Sequence, residues 1–154
     1  MIYWFTGQPG AGKTVLASAL KQQLENTFHI DGDDLRDIFD NKDYSEDGRR
    51  KNIALAQHIS HFLSKKECNV VVSLVSPYKD QREEFKEKLG DLIQEIYIHT
   101  TDIRGRENFH VKDYQPPTSN YINIDTTNIS VENCINKIIK LWKIGAKKYT
   151  YNHP

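Results

Sequence analysis

Residues 7 to 14 read GQPGAGKT and fit the phosphate-loop spacing G-x-x-x-x-G-K-S/T. Each part of that spacing answers a demand of a bound phosphate chain. Gly7, Gly10 and Gly12 let backbone N–H groups close on the anion, and Ala11 and Val15 complete the turn and the helix start that follows it. Lys13 can reach the β- and γ-phosphates, and Thr14 offers a hydroxyl to Mg²⁺. Such a pattern also arises by chance, so the flanks must decide. The apolar run IYWF precedes it, and Leu16, Ala17, Leu20 and Leu24 share one helical face after it. Strand, glycine turn and helix follow in the required order, and a nucleoside triphosphate is the expected ligand.

A phosphate loop alone does not distinguish hydrolysis from transfer of the γ-phosphoryl group. The stretch HIDGDDLRDIF (29 to 39) puts Asp31 and Asp33 at the carboxyl end of a second strand, where open α/β sheets form their ligand crevice. Gly32 permits a sharp turn there, and Asp33 or Asp34 is placed to open the next helix. Two carboxylates facing a triphosphate can hold Mg²⁺ through water and take a proton from an attacking hydroxyl. Asp31 is assigned to the metal and the substrate, and Asp33 to catalysis and the substrate. Arg36, one helical turn on, suits an acceptor's own phosphate. The plainer alternative is helix capping alone, which is compatible with catalysis.

These residues need a frame. Strand-like runs occur at 2–6, 27–30, 69–75, 95–100 and 121–125, separated by helical stripes. One stripe carries Ile53, Leu55, Ala56, Ile59, Phe62 and Leu63, and another carries Val131, Cys134, Ile135, Ile138, Ile139 and Trp142. The alternation predicts an α/β fold, a three-layer P-loop arrangement with a parallel sheet of about five strands between helices, as a single domain over 1–154. Segment 105–120 lacks periodicity and is expected to loop over the ligand edge.

The 154 residues carry 21 basic and 21 acidic side chains, so no general field draws the chain to nucleic acid or membrane. The start MIYWFTGQPGAGKT does not read as a secretion signal and no later apolar run approaches spanning length, so a cytoplasmic location is expected. Cys68 and Cys134 read as buried thiols, the NIS at 128–130 as a chance match, and His58 with His61 as no metal site. The basic, amphipathic stretch 135–149 is expected to cover the sheet with a solvated lysine face.

Four ordered segments, GQPGAGKT, DGDDLR, DYSEDGRRKNIALAQ and SLVSPYKDQRE, together resemble adenylylsulfate kinase, and the likeness resumes at KDYQPPTSNYINIDTT. The resemblance implies transfer of the γ-phosphoryl of ATP, with Mg²⁺, to the 3′-hydroxyl of adenosine 5′-phosphosulfate. It implies that Tyr44 stacks on the acceptor's base while Arg49 and Asn52 bind its 5′ group. On residue type alone these three serve equally well as the start of a helix. Ser76 and Pro77 are expected on the acceptor, with Tyr78 packed beside it and Arg82 on the surface. The family's basic lid, of the pattern D-P-K-G-L-Y-K-K-A-R, is replaced by the shorter TTDIRGRENFHVKDYQPP. Arg104 or Arg106 remains to stabilise the transferring group, with Arg106 assigned to catalysis, and Phe109 is the aromatic that can close over the base.

The partners expected are a small-molecule nucleotide acceptor and at most a second copy of the chain in a homodimer. Two alternatives stay open: a kinase acting on another nucleotide or nucleotide conjugate, and a nucleotide-dependent regulatory ATPase.

Overall fold

Five short runs rich in β-branched and aromatic residues pair into one all-parallel sheet: β1 (Ile2–Thr6), β2 (Thr27–Asp31), β3 (Asn69–Ser73), β4 (Ile93–His99) and β5 (Tyr121–Asp125). The computed structural model of the chain describes residues 1–149, with side chains described through residue 142. The lysine face expected beyond residue 142 lies outside those described side chains.

The strand order is β2-β3-β1-β4-β5. β1 pairs with β3 in the register Ile2↔Val70 to Phe5↔Ser73 and with β4 in the register Ile2↔Ile93 to Thr6↔Tyr97. From β1 the chain moves out to β2, returns through β3, and then crosses to β4 and β5. The direction of winding therefore reverses between β1 and β3, and the crevice opens at their carboxyl ends.

Alternation along β1 divides the core between the two faces of the sheet. Tyr3 and Phe5 join Leu16, Ala17 and Leu20 of α1 (Lys13–Gln22) and Cys134, Ile135 and Ile138 of α5 (Val131–Tyr149). Ile2 and Trp4 join Ile53 and Ala56 of α3 (Glu46–Ser64), Leu35 of α2 (Gly32–Ile38) and Phe85 and Leu89 of α4 (Lys79–Leu89). Trp4 meets Phe85 edge-on with ring centroids 5.5 Å apart. Each large apolar side chain buried this way contributes about 1.5–3 kcal/mol, and β1 is buried along its whole length. The loops at its end are thereby fixed to the most rigid element.

Several expectations are corrected by the structure. β3 ends at Ser73 because the Thr6 hydroxyl donates to the carbonyls of Val75 and Ser76, drawing 74–77 out of the ladder. Asp31 itself caps α2, accepting from the Asp33 N–H, so neither Asp33 nor Asp34 opens that helix. Phe62 is 61% exposed, outside the stripe it was expected to join, with Lys66 Nζ 5.4 Å from its ring centroid. As expected, both cysteines are buried free thiols. Among the described residues no helix is long and apolar enough to cross a membrane.

Candidate active site

The phosphate loop leaves β1 at Gly7, which lies against the Ile98 carbonyl so closely that a Cβ would collide with it. The loop ends at Gly12, whose φ of 106° is open to glycine but not to ordinary side chains. α1 then begins with Lys13 and has no side-chain cap, so its first N–H groups point into the crevice. Lys13 is 8% exposed and donates from Nζ to the Gln8 carbonyl at 2.8 Å. Burial pushes its ammonium down to about 8, with Asp31 and Asp33 pulling the other way and Arg106 adding to the fall. The loop thus buries a cation without a carboxylate in contact, which is an anion site by construction.

The two acids at the end of β2 differ in their engagements. Asp31 Oδ1 accepts from Thr14 Oγ1 at 3.0 Å and from Ser73 Oγ at 2.7 Å, and its Oδ2 accepts from the Asp33 N–H at 3.2 Å. Because the Ser73 hydrogen goes to Asp31, His29 donates to Ser73 Oγ through Nε2–H at 2.7 Å. Burial pushes the His29 pKa down, which favours the neutral ring, here as its Nε2–H tautomer. Asp33 is exposed on the cleft, and its carboxylate makes no hydrogen bond or ion pair among the described residues.

The cleft has a volume of about 1160 Å³. It brings together Gly10, Gly12, Lys13, Thr14 and Val15 of the loop, Asp31, Asp33 and Arg36 of the second strand end, and Tyr44, Arg49 and Asn52 of the α3 entry. Ser76 and Pro77 wall one side, and Arg106 and Phe109 overhang it. Gly7 and Ala11 lie behind the loop and not on the cleft, both of them buried. Two polar atoms in this wall are buried without partners, Asn52 Oδ1 and Ser76 Oγ. Asn52 spends only its Nδ2, on the Gly32 carbonyl at 3.2 Å, and Ser76 is held at a left-handed φ of 47°. Buried orphans of this kind are uncommon and mark where a ligand would supply the missing bond.

Neighbouring arginines divide in the same way as the acids. Arg36 is committed through Nη1 to the carbonyls of Asn41 and Asp43, both at 3.0 Å, and lies 4.0 Å over the Tyr44 ring. The Arg49 guanidinium makes no hydrogen bond or ion pair among the described residues. Arg50 is tied to Glu46 and Asp80 and stacks on Tyr78. In the lid, Arg104 donates to the carbonyls of Gly10, Ala11 and Thr126 and pairs with Asp102 at 3.0 Å. The Arg106 guanidinium makes no hydrogen bond or ion pair among the described residues and lies 5.5 Å from the centroid of the Phe109 ring.

Tyr78 and Arg82 stand apart from their sequence expectations. Tyr78 is 6% exposed and belongs to the core under α3 and α4, not to the cleft. Arg82 is 3% exposed: its guanidinium pairs with Glu95 at 2.7 Å and donates to the carbonyls of Ser76 and Gln115. Lys86 takes the other Glu95 oxygen and pairs in turn with Glu83 at 2.8 Å, so two cations meet two carboxylates. An arginine can do this because its planar fork reaches three acceptors at once, a property that residue type alone does not locate. Sequence reasoning also passed over Gln8, whose amide pairs both ways with the Val111 backbone at 2.8 Å, and Tyr114, whose hydroxyl meets Thr6 Oγ1 at 2.8 Å. Only contacts across the fold reveal these.

Residues 1–115 match the family described as Adenylylsulphate kinase. A relative named adenylyl-sulfate kinase from Pseudomonas aeruginosa is 31% identical, over 90% of this chain and 83% of its own length. One of the same name from Oceanobacillus iheyensis is 30% identical, over 92% and 83% respectively. The Mycobacterium tuberculosis APS kinase, solved in complex with AMPPNP and APS, shares the fold with a TM-score of 0.79 at 20% identity, covering 92% of this chain and 96% of that one.

Proposed function

The chain belongs to the adenylylsulphate kinase family of phosphotransferases, and from that premise we propose that it transfers the γ-phosphoryl group of ATP to the 3′-hydroxyl of adenosine 5′-phosphosulfate, as one domain over residues 1–154. The observation that carries this reading is the convergence on one cleft of a buried lysine, an unengaged carboxylate and two unengaged arginines, Lys13, Asp33, Arg49 and Arg106.

ATP lies with its phosphates against Gly10, Gly12, Lys13, Thr14 and Val15, where Lys13 releases the Gln8 carbonyl and takes β- and γ-phosphate oxygens. The Thr14 hydroxyl and the Asp31 carboxylate fit Mg²⁺, since a magnesium ion bound with a triphosphate needs few protein oxygens and these two already adjoin. That ion would neutralise charge on the phosphates. The acceptor lies across the carboxyl strand ends. Arg49 and Asn52 hold its 5′ group, Arg36 lends charge without leaving its own carbonyls, Tyr44 and Phe109 bracket the base, and Ser76 with Pro77 limits the depth. Asp33 accepts the proton of the attacking hydroxyl, which its lack of other partners leaves it able to do. Arg106 meets the charge spreading over the transferring group, and most of the acceleration comes from placement and charge.

The test is a mass-spectrometric screen with ATP-Mg²⁺ and a panel of adenosine 5′-phosphosulfate, nucleoside mono- and diphosphates, nucleotide conjugates and short oligonucleotides. The phosphosulfate is expected to gain one phosphoryl group in preference to AMP. Phosphorylation of a different conjugate alone would replace the acceptor and keep the kinase. Steady ATP hydrolysis with no phosphorylated product would move the reading to a regulatory ATPase.

A further inference from the structure

The lid after β4 is held at both legs, and the two legs are held by different means. The entry leg is fixed by Arg104 on the loop carbonyls of Gly10 and Ala11 and on Thr126. The exit leg is fixed at three successive points: Val111 on Gln8, Tyr114 on Thr6, and Gln115 on Arg82 and on the Pro77 carbonyl. Of these, the Gln8 contact is nearest the apex, which is a single 3-10 turn, Glu107–Phe109, preceded by Arg106.

Gln8 is joined to both sides of the cleft by separate parts of one residue. Its backbone carbonyl takes the Lys13 ammonium at 2.8 Å. Its side-chain amide donates from Nε2 to the Val111 carbonyl and accepts at Oε1 from the Val111 N–H, each at 2.8 Å. The two bonds together reproduce a rung of a sheet ladder, and they define which way the amide faces. Val111 itself is buried, so the rung is shielded from competing water.

We infer that Gln8 is a positioning residue: it hangs the lid on the phosphate loop, so that a nucleotide which reshapes the loop and draws Lys13 away also sets the apex bearing Arg106 and Phe109. This rests on the proposed transfer reaction and adds to it the device that makes lid placement depend on nucleotide. Among the described residues no other residue is hydrogen-bonded to both the Lys13 ammonium and the lid. Because the Tyr114 and Gln115 anchors are partly buried and independent of Gln8, the fold does not depend on the rung.

The experiment uses the full chain and the variants Gln8→Leu, which keeps bulk and loses both bonds, and Gln8→Glu, which keeps the acceptor for the Val111 N–H. Hydrogen exchange at the Val111 amide is followed with and without AMPPNP, alongside transfer from ATP-Mg²⁺ to adenosine 5′-phosphosulfate. Wild type is expected to show Val111 protection that changes on adding AMPPNP. In Gln8→Leu that amide should exchange at least about 10-fold faster and lose its response to AMPPNP, while the Gln115 amide stays protected. Transfer kcat should fall about 10-fold with the KM for ATP within about twofold, and Gln8→Glu should recover part of the loss. Unchanged kcat in Gln8→Leu with a freely exchanging Val111 would overturn the inference, as would a Val111 response to AMPPNP that survives the substitution. If wild type phosphorylates no phosphosulfate, the proposed acceptor fails, while the exchange measurements still decide whether Gln8 couples nucleotide to lid.

Discussion

The phosphate loop and the lid face each other across one cleft, yet they are built in opposite ways. The loop is a run of consecutive residues whose shape comes from glycine backbone and from the buried strand β1 beneath it. The lid takes its shape from side chains far away in the sequence, Thr6, Gln8 and Arg82, which grip it at Tyr114, Val111 and Gln115. A locally encoded element can be read as a word. One held by distant partners can be read only once the fold has put those partners beside it.

The contrast breaks first at Lys13. Lys13→Met should lower transfer by about 10³-fold or more, because the lost charge is one that acts on the transferring group. The same change should raise the thermal midpoint by about 2–4 °C, since burial holds the Lys13 ammonium down at about 8 and folding without nucleotide works against it. The sign follows from that depression: with a folded pKa below the unfolded one, the lysine opposes folding most at pH values below about 8, and the opposition fades as pH rises toward its unfolded value. Calorimetry of the nucleotide-free protein checks the gain, and a lower midpoint at neutral pH would contradict it.

The acids give the next largest effect. Asp33→Asn should reduce kcat by about 10²-fold with little change in the fold, because the carboxylate is free. Asp31→Asn should also lower the midpoint, since it disturbs bonds from Thr14, Ser73 and the α2 cap at once. Equal losses of kcat with equal losses of stability would erase the distinction between them.

In the lid, Arg106→Ala should cost about 10²-fold in kcat and leave the melting curve in place, whereas Arg104→Ala should do the reverse, loosening the loop carbonyls it supports. Kinetics and thermal melting on both variants separate the two. The smallest effect is expected from Arg82→Lys, which keeps the charge beside Glu95 but cannot span the carbonyls of Ser76 and Gln115 together. The KM for the acceptor should rise about 3- to 10-fold with the KM for ATP unmoved. Arg82→Met, which strands Glu95, should instead cost about 3–5 kcal/mol of stability.

Legibility follows the same division. All five strands, the helix after the loop and the apolar stripe of α5 from Cys134 to Trp142 can be read from periodicity, because burial on a parallel sheet leaves a repeating mark, whereas Val131, expected in that stripe, is 40% exposed at the first turn of the helix. The residues that line the cleft are largely readable from motif position. What the sequence hides is which member of each neighbouring pair is already committed. Asp31 and Asp33, Arg36 and Arg49, and Arg104 and Arg106 are matched in type and differ only in what lies within reach. Arg82 is the extreme case. Its flanks, KDQREE, are those of a solvated helix, and only the approach of Glu95 on β4 and of the Gln115 carbonyl takes it inside.

The central place of β1 bears on the order in which the chain can assemble during synthesis. β1 leaves the ribosome before either neighbour, and it is paired on one side by β3 and on the other by β4, which follows later still. Until Ile93–His99 has emerged, one edge of a strand that is wholly buried in the fold has no partner, and the nascent chain carries a sticky template. Chaperone dependence should therefore peak in ribosome-bound chains that expose β1 through β3 but not β4, and fall once β4 is out.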